Sequence, residues 1–260
     1  MTKKTTETTL WLIPTPLDLG TDTTTPLDHI IPRETICQAS QITHWIVENA
    51  KTARAILKRF GDISPLAAPL QNMHITELPR EVHKKGDTGF NARSLLQQAS
   101  QGQYDVGLMS EAGLPAIADP GSSVVRAAHE LRMQVRPMVG PSSLLLALMG
   151  SGLNGQNFAF TGYLPKAGSE QTKRIKELEK LALQYNQTQL FIETPYRNEA
   201  LLKTLLQTLQ PHTTLSIAFG MTLPQAKHIS MKASQWKNSD NKPGLDANII
   251  KLPAIFLLGQ

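Results

Sequence analysis

Val106-Gly107-Leu108-Met109-Ser110-Glu111-Ala112-Gly113-Leu114-Pro115-Ala116-Ile117-Ala118-Asp119-Pro120-Gly121 joins an apolar run to a tract of small residues, glycines and prolines. Four apolar residues followed by turn formers predict a buried strand, with a loop at its carboxyl end. In an open α/β sheet that edge exposes main-chain N–H and C=O groups and is where ligands bind. A small-molecule site is therefore expected over residues 110–121.

The pattern repeats on either side of this stretch. Thr9-Leu10-Trp11-Leu12-Ile13, ended by Pro14, and His44-Trp45-Ile46-Val47-Glu48 read as two further buried strands. Ala53, Ile56, Leu57 and Phe60 fall at helical spacing before Gly61, which predicts a helix over 51–60. Residues 65–89 lose the pattern, and one weak strand near 66–70 followed by a loop is expected there. Helices over 91–100 and 122–131 alternate with strands over 104–109 and 134–139. Such alternation implies right-handed crossovers and a parallel, doubly wound sheet. The almost wholly apolar run 142–149 predicts a buried helix that Ser142 or Ser143 can cap. Gly150-Ser151-Gly152-Leu153-Asn154-Gly155 has the composition of a hinge. The domain boundary is placed there, giving an N-terminal α/β domain over 9–152 and a C-terminal α/β domain over 153–260, with residues 1–8 disordered. The second half offers strands over 158–162, 188–193, 214–219 and 254–258, and helices over 169–185 and 198–209.

The bulk composition bounds the chemistry. The single cysteine, Cys37, excludes an internal disulfide and any multi-cysteine metal site, which suits a reducing cytoplasm. No window approaches the length of a membrane span. The net charge of +5 favours a polyanionic partner without requiring one. Part of that excess is local: Lys166, Lys173, Arg174, Lys176 and Lys180 share their stretch with Glu170, Glu177 and Glu179 alone among acids. This is either a solvated helix face on which Lys173 pairs with Glu177 and Lys176 with Glu179, or a nucleic-acid contact.

The familiar nucleotide and hydrolase motifs are missing. No Gly-x-Gly-x-x-Gly follows the first strand, and the chain holds neither Gly-x-x-x-x-Gly-Lys-Ser/Thr nor a Gly-x-Ser-x-Gly elbow. Its histidines show no zinc-ligand spacing, so no metal is expected. Three loops remain, Pro14-Thr15-Pro16, Ser110 to Leu114 and Gly140-Pro141-Ser142-Ser143, each at the end of an apolar strand. In a parallel sheet all three fall on one edge and can line one cleft.

These loops, with Asp119-Pro120-Gly121, Ser151-Gly152-Leu153, Phe158, Gly162-Tyr163-Leu164-Pro165 and Glu193-Thr194-Pro195-Tyr196-Arg197, follow the order and nearly the spacing of a known family. Over roughly residues 10–225 the chain resembles the tetrapyrrole methylase superfamily, the class III methyltransferases. Within it the match is strongest to the branch that methylates a cytidine ribose 2′-hydroxyl of small-subunit ribosomal RNA. The resemblance implies a mostly parallel N-terminal sheet, a mixed C-terminal sheet, S-adenosylmethionine in a cleft between the two domains, and a homodimer. By motif position it implies that Pro16, Met109, Ser110, Glu111, Leu114, Ser142, Ser143, Glu193, Ala218 and Met221 meet the cofactor. Lys51, Lys166, Lys173, Arg174 and Arg197 are the expected contacts to RNA. A ribose hydroxyl is a poor nucleophile near neutral pH and needs a base beside it. Glu48 is the candidate, the alternative being a charge that complements a helix terminus.

The chain also departs from the family pattern. Glu111 stands where the pattern has aspartate, and Asn49 and Lys51 stand where it has aspartate and arginine. Ala218-Phe219-Gly220-Met221-Thr222 replaces a tract like Ala-Arg-Glu-Leu-Thr, which removes a charged pair. Because these changes gather on the acceptor side, two alternatives stay open: methylation of a tetrapyrrole or other small molecule, and a cofactor-binding paralogue without transfer.

Overall fold

The computed structural model describes residues 8–18, 20–79, 81–82, 87, 89–238 and 245–260. The disorder expected for residues 1–7 falls outside these. Thr8 does not share it: the residue is buried, and its hydroxyl donates to the Ala99 carbonyl at 2.7 Å. Two compact units form, one of residues 1–20 and 25–141, the other of residues 21–24 and 142–260.

The first unit holds a five-stranded sheet in the order β3-β2-β4-β1-β5, parallel throughout. Its strands are β1 (Thr9–Leu12), β2 (His44–Val47), β3 (His74–Glu77), β4 (Val106–Met109) and β5 (Gln134–Pro137). Successive side chains point to opposite faces, and both faces are covered. On one face Trp11, Trp45 and Val47 pack with α1 (Arg33–Ser40) and α2 (Ala50–Gly61) through Ile36, Ala39, Leu57 and Phe60. On the other, Leu10, Ile46 and Leu108 pack with α3 (Arg93–Leu96) and α4 (Ser122–Glu130) through Leu96, Val124 and Ala127. This is the doubly wound arrangement expected from the alternation of elements. Gly107 is required within β4, because a Cβ there would lie 2.4 Å from the Trp45 ring.

Two sequence expectations are corrected in this unit. The strand looked for over 66–70 is not formed, since Pro65 and Pro69 cannot donate to a ladder. The third strand is instead the exposed edge segment His74–Glu77, preceded by a single 3₁₀ turn at Leu70–Asn72. The helix expected over 91–100 is one turn, Arg93–Leu96, followed by a 3₁₀ turn at Ala99–Gln101 that ends in left-handed Gly102.

The second unit carries a mixed sheet in the order β6-β7-β10-β8-β9, with β6 (Phe158–Tyr163), β7 (Thr188–Glu193), β8 (Thr214–Phe219), β9 (Lys227–Lys232) and β10 (Ala254–Gly259). Only β6 and β7 run parallel. One face packs on α6 (Ser169–Tyr185), α7 (Asn198–Thr208) and α8 (Ala233–Asn238), with Phe191, Phe256 and Trp236 at its centre. The other packs on α5 (Ser143–Ser151). That contact moves the boundary from residue 152 to Pro141/Ser142. Leu144, Ala147 and Leu148 of α5 are buried against Leu190, Ala218, Ile255 and Leu257, so the helix belongs to the second sheet and the glycines after it do not divide the units.

Candidate active site

In the first unit β1 and β4 are neighbours, yet β1 leads to α1 on one face and β4 leads to α4 on the other. This is a topological switch point, where the loops at the carboxyl edge open a crevice. The loops after these strands are tied together: the Thr15 amide donates to the Gly113 carbonyl at 2.9 Å and the Gly113 amide returns a bond at 3.2 Å. Gly113 is at φ +82°, a conformation that favours glycine. The third loop joins them through Gly140, which presses so closely on Pro14 that a Cβ would lie 2.2 Å from its ring. The Pro14–Pro16, Ser110–Leu114 and Gly140–Pro141 segments thus share one edge of the sheet.

Three carboxylates gather at this edge. Glu48 follows β2; its amide donates to the Met109 carbonyl at 3.1 Å, and its Oε2 accepts from the Glu111 amide at 3.0 Å. Glu111 turns toward α2, where its Oε1 accepts from the Thr52 hydroxyl at 2.7 Å. Its extra methylene relative to aspartate therefore reaches a helix. Asp119 is pushed up to about 7, by burial first and then by the like charges of Glu48 and Glu111. Ser110 is 3% exposed, and its Oγ has no hydrogen-bond partner. That hydroxyl holds back the rise of the Asp119 pKa without meeting hydrogen-bond geometry to it. A buried hydroxyl left without a full hydrogen bond costs about 1–3 kcal/mol.

The other expected contacts divide by how much they can offer. Pro16 is buried, and Met109 sits in the core with its carbonyl taken by Glu48, whereas Leu114 is partly exposed at the loop. The Lys51 side chain is exposed on the first turn of α2, which Asn49 caps by accepting from the Lys51 and Thr52 amides at 2.9 and 3.1 Å. Asn49 thus does the capping work open to an aspartate at that position.

In the second unit Ser142 caps α5, its Oγ accepting from the Leu145 amide at 3.4 Å, and Ser143 is the first residue of that helix. Glu193 ends β7 with its side chain 2% exposed, and its Oε1 accepts from Arg197 Nη2 at 2.6 Å and Nε at 2.9 Å. Arg197 is thus paired with Glu193, its side chain 29% exposed. Ala218 is fully buried in the packing with α5, while Met221 packs partly buried at the same cluster. The pairing pattern expected on α6 is replaced as well. Glu177 pairs with Arg174 at 3.2 Å, and buried Glu179 accepts from the Gln210 amide and the Thr213 hydroxyl at 2.8 and 2.6 Å. Lys173, Lys176 and Lys180 are left exposed on one helix face, and Lys166 is exposed just before the helix.

Sequence reasoning quoted Asp119 within a motif but gave it no role. Its importance arises from the turn that returns it to the cluster, in which Ala116 and Ala118 both take φ 65°. Left-handed alanines cost on the order of 1 kcal/mol each, and such strain collects at functional sites.

Comparison with solved structures decides the architecture. A uroporphyrin-III C-methyltransferase from Thermus thermophilus, solved with S-adenosylhomocysteine, matches over 97% of both chains with a TM-score of 0.54 and 13% identity. Cobalt precorrin-4 methyltransferase matches over 96% of this chain and 94% of that one, with a TM-score of 0.52 and 12% identity. The fold is that of the tetrapyrrole methyltransferases. The chain is 30% identical over 189 residues to ribosomal RNA small subunit methyltransferase I of Pseudomonas aeruginosa, spanning 73% of this chain and 57% of that protein. The Streptococcus pyogenes protein of the same name is 28% identical over 78% of this chain and 61% of that one. The chain thus spans about three fifths of the length of these relatives. No family model matches it. A tetrapyrrole-methyltransferase fold accounts for the parallel first sheet, the mixed second sheet and the loops gathered at the switch point.

Proposed function

We propose that the chain is an S-adenosylmethionine-dependent methyltransferase whose acceptor is a ribose 2′-hydroxyl of small-subunit ribosomal RNA or a related RNA. The observation that carries this reading is the switch-point edge, where three loops are stitched together around an orphaned buried hydroxyl at Ser110. The names of the sequence relatives support the RNA acceptor. The residues fit the cofactor: an adenine, a ribose and an amino-acid tail need main-chain donors and small side chains, which the Ser110–Leu114 loop supplies. When bound, S-adenosylmethionine supplies a methyl group on a sulfonium, a good leaving group that needs positioning more than activation. Glu48 fixes the loop by holding the Glu111 amide. Ser142, Ser143, Glu193 and Met221, on the second unit, are tested for an effect on cofactor affinity one at a time. We place the protein in the cytoplasm as a homodimer, a state that sedimentation checks directly.

Calorimetry with S-adenosylmethionine tests the first half of the proposal, and the absence of heat at millimolar ligand removes it. Ribose methylation of small-subunit RNA from a deletion strain, with and without added protein, tests the second. A second reading keeps one specific support: the neutral tract Ala218–Thr222 lacks the charged pair of the RNA branch, and the solved neighbours act on tetrapyrroles by name. Cofactor binding with methylation of a tetrapyrrole and none of RNA would favour that acceptor. Binding with no transfer to either would favour a cofactor-binding paralogue.

A further inference from the structure

Among the three carboxylates at the edge of the first sheet, Glu48 and Glu111 each accept a defined hydrogen bond, from the Glu111 amide and from the Thr52 hydroxyl respectively. Asp119 is set apart. A turn carrying two left-handed alanines returns it to Ser110, and the groups that face it are Glu48 from the end of β2 with Glu111 and Ser110 from the end of β4. Neither lysine nor arginine acts on it among the described residues. The Ser110 hydroxyl is buried and faces Asp119, where it holds back the rise of the carboxyl pKa while forming no full hydrogen bond of its own.

We propose that Asp119 is the residue that takes the proton of the acceptor hydroxyl during methyl transfer, with Ser110 as its positioning residue. This rests on the methyltransferase reading above. The acceptor O–H bond breaks and its electron pair forms the new O–CH3 bond, while the donor C–S bond breaks with its pair going to sulfur. The proton passes to the Asp119 carboxylate and then to water. Charge balances, because one carboxylate and one sulfonium become a neutral carboxyl and a thioether. A base works best when its pKa lies near the working pH, so that it is largely ionised yet still holds a proton firmly. The position of Asp119 near 7 meets that condition.

The test begins with the free protein. Carbon-13 NMR of aspartate-labelled protein is expected to show one carboxyl with a midpoint between pH 6 and 8 that is absent in Asp119→Asn and moves upward in Ser110→Ala. The kinetic arm uses S-adenosylmethionine and small-subunit RNA. Asp119→Asn is expected to keep cofactor affinity within threefold, to melt no lower than the unsubstituted protein at pH 8, and to lose between about 100-fold and 10,000-fold in transfer rate. Ser110→Ala is expected to shift the inflection of the rate profile upward. Binding and turnover that proceed normally in Asp119→Asn, or the lack of any carboxyl titrating near neutrality, overturn this inference alone. Failure of the unsubstituted protein to bind the cofactor overturns the methyltransferase reading and this inference together.

Discussion

Asp87 and Asp119 show how two aspartates in one unit respond to pH in opposite directions. Burial would raise Asp87, but the Ser122 hydroxyl, the Ser123 and Gly121 amides and the Ser123 hydroxyl all donate to it and leave its pKa lowered. It therefore adds stability that is present above the unfolded value of an aspartate and lost as pH falls through its lower folded value. Asp119 has a folded pKa raised from 3.8 to about 7, so the folded protein holds a proton that the unfolded chain has released. Its penalty is absent below pH 3.8, grows as pH rises, and is complete above pH 7, where it reaches on the order of 4 kcal/mol. Asp119→Asn is accordingly expected to gain stability over the unsubstituted protein between pH 4 and 7, read from urea midpoints at several pH values. Equal midpoints across that range would show that Asp119 ionises as freely in the fold as in the unfolded chain. Asp87→Ala removes the acceptor that caps α4 through the Gly121 and Ser123 amides at 2.8 and 2.9 Å. A loss of about 2 kcal/mol at pH 7 is expected, measured by the same denaturation.

Elements with regular patterns were legible, and those without them were not. The apolar runs of β1, β2, β4 and β10 and the helical spacing in α2 and α6 announce themselves because each buries a continuous face. Two of the four edge strands, β3 and β9, His-Ile-Thr-Glu and Lys-His-Ile-Ser-Met-Lys, carry little apolar signal, because most of their side chains are exposed or only partly buried. The three loops of the site were legible from their glycines, prolines and small residues. The carboxylate cluster was not, since Glu111 and Thr52 lie 59 positions apart and the left-handed turn before Asp119 is built on alanines. Packing across elements sets a further prediction. Gly107 in β4 faces the Trp45 ring of β2, and Gly107→Ala must push that ring aside within a filled core. A cost of about 1–3 kcal/mol is expected in thermal or urea unfolding. A neutral result would show that the ring has room to move.

At the scale of the whole molecule the excess of +5 is unevenly spread, and the second unit shows how it is spent. Arg174 is neutralised by Glu177 and Arg197 by Glu193, while Glu179 is withdrawn from the surface to accept from the Gln210 amide and the Thr213 hydroxyl. Removing Glu179 from solvent leaves Lys173, Lys176 and Lys180 as an exposed cationic ridge along α6. Exposed lysines bind phosphates by releasing counterions, so their contribution is seen in the dependence of affinity on salt. If these three contact single-stranded RNA, replacing all of them with alanine should reduce the slope of log affinity against log salt by about 2, at roughly 0.7 per phosphate. Affinity for S-adenosylmethionine should stay within twofold, because none of the three is assigned to the cofactor. Filter binding to small-subunit RNA between 50 and 200 mM salt, on the order of the range where such slopes are resolved, gives the measurement. An unchanged slope would make the ridge an ordinary solvated helix face and would move the search for the RNA contact to Lys51 and Lys166.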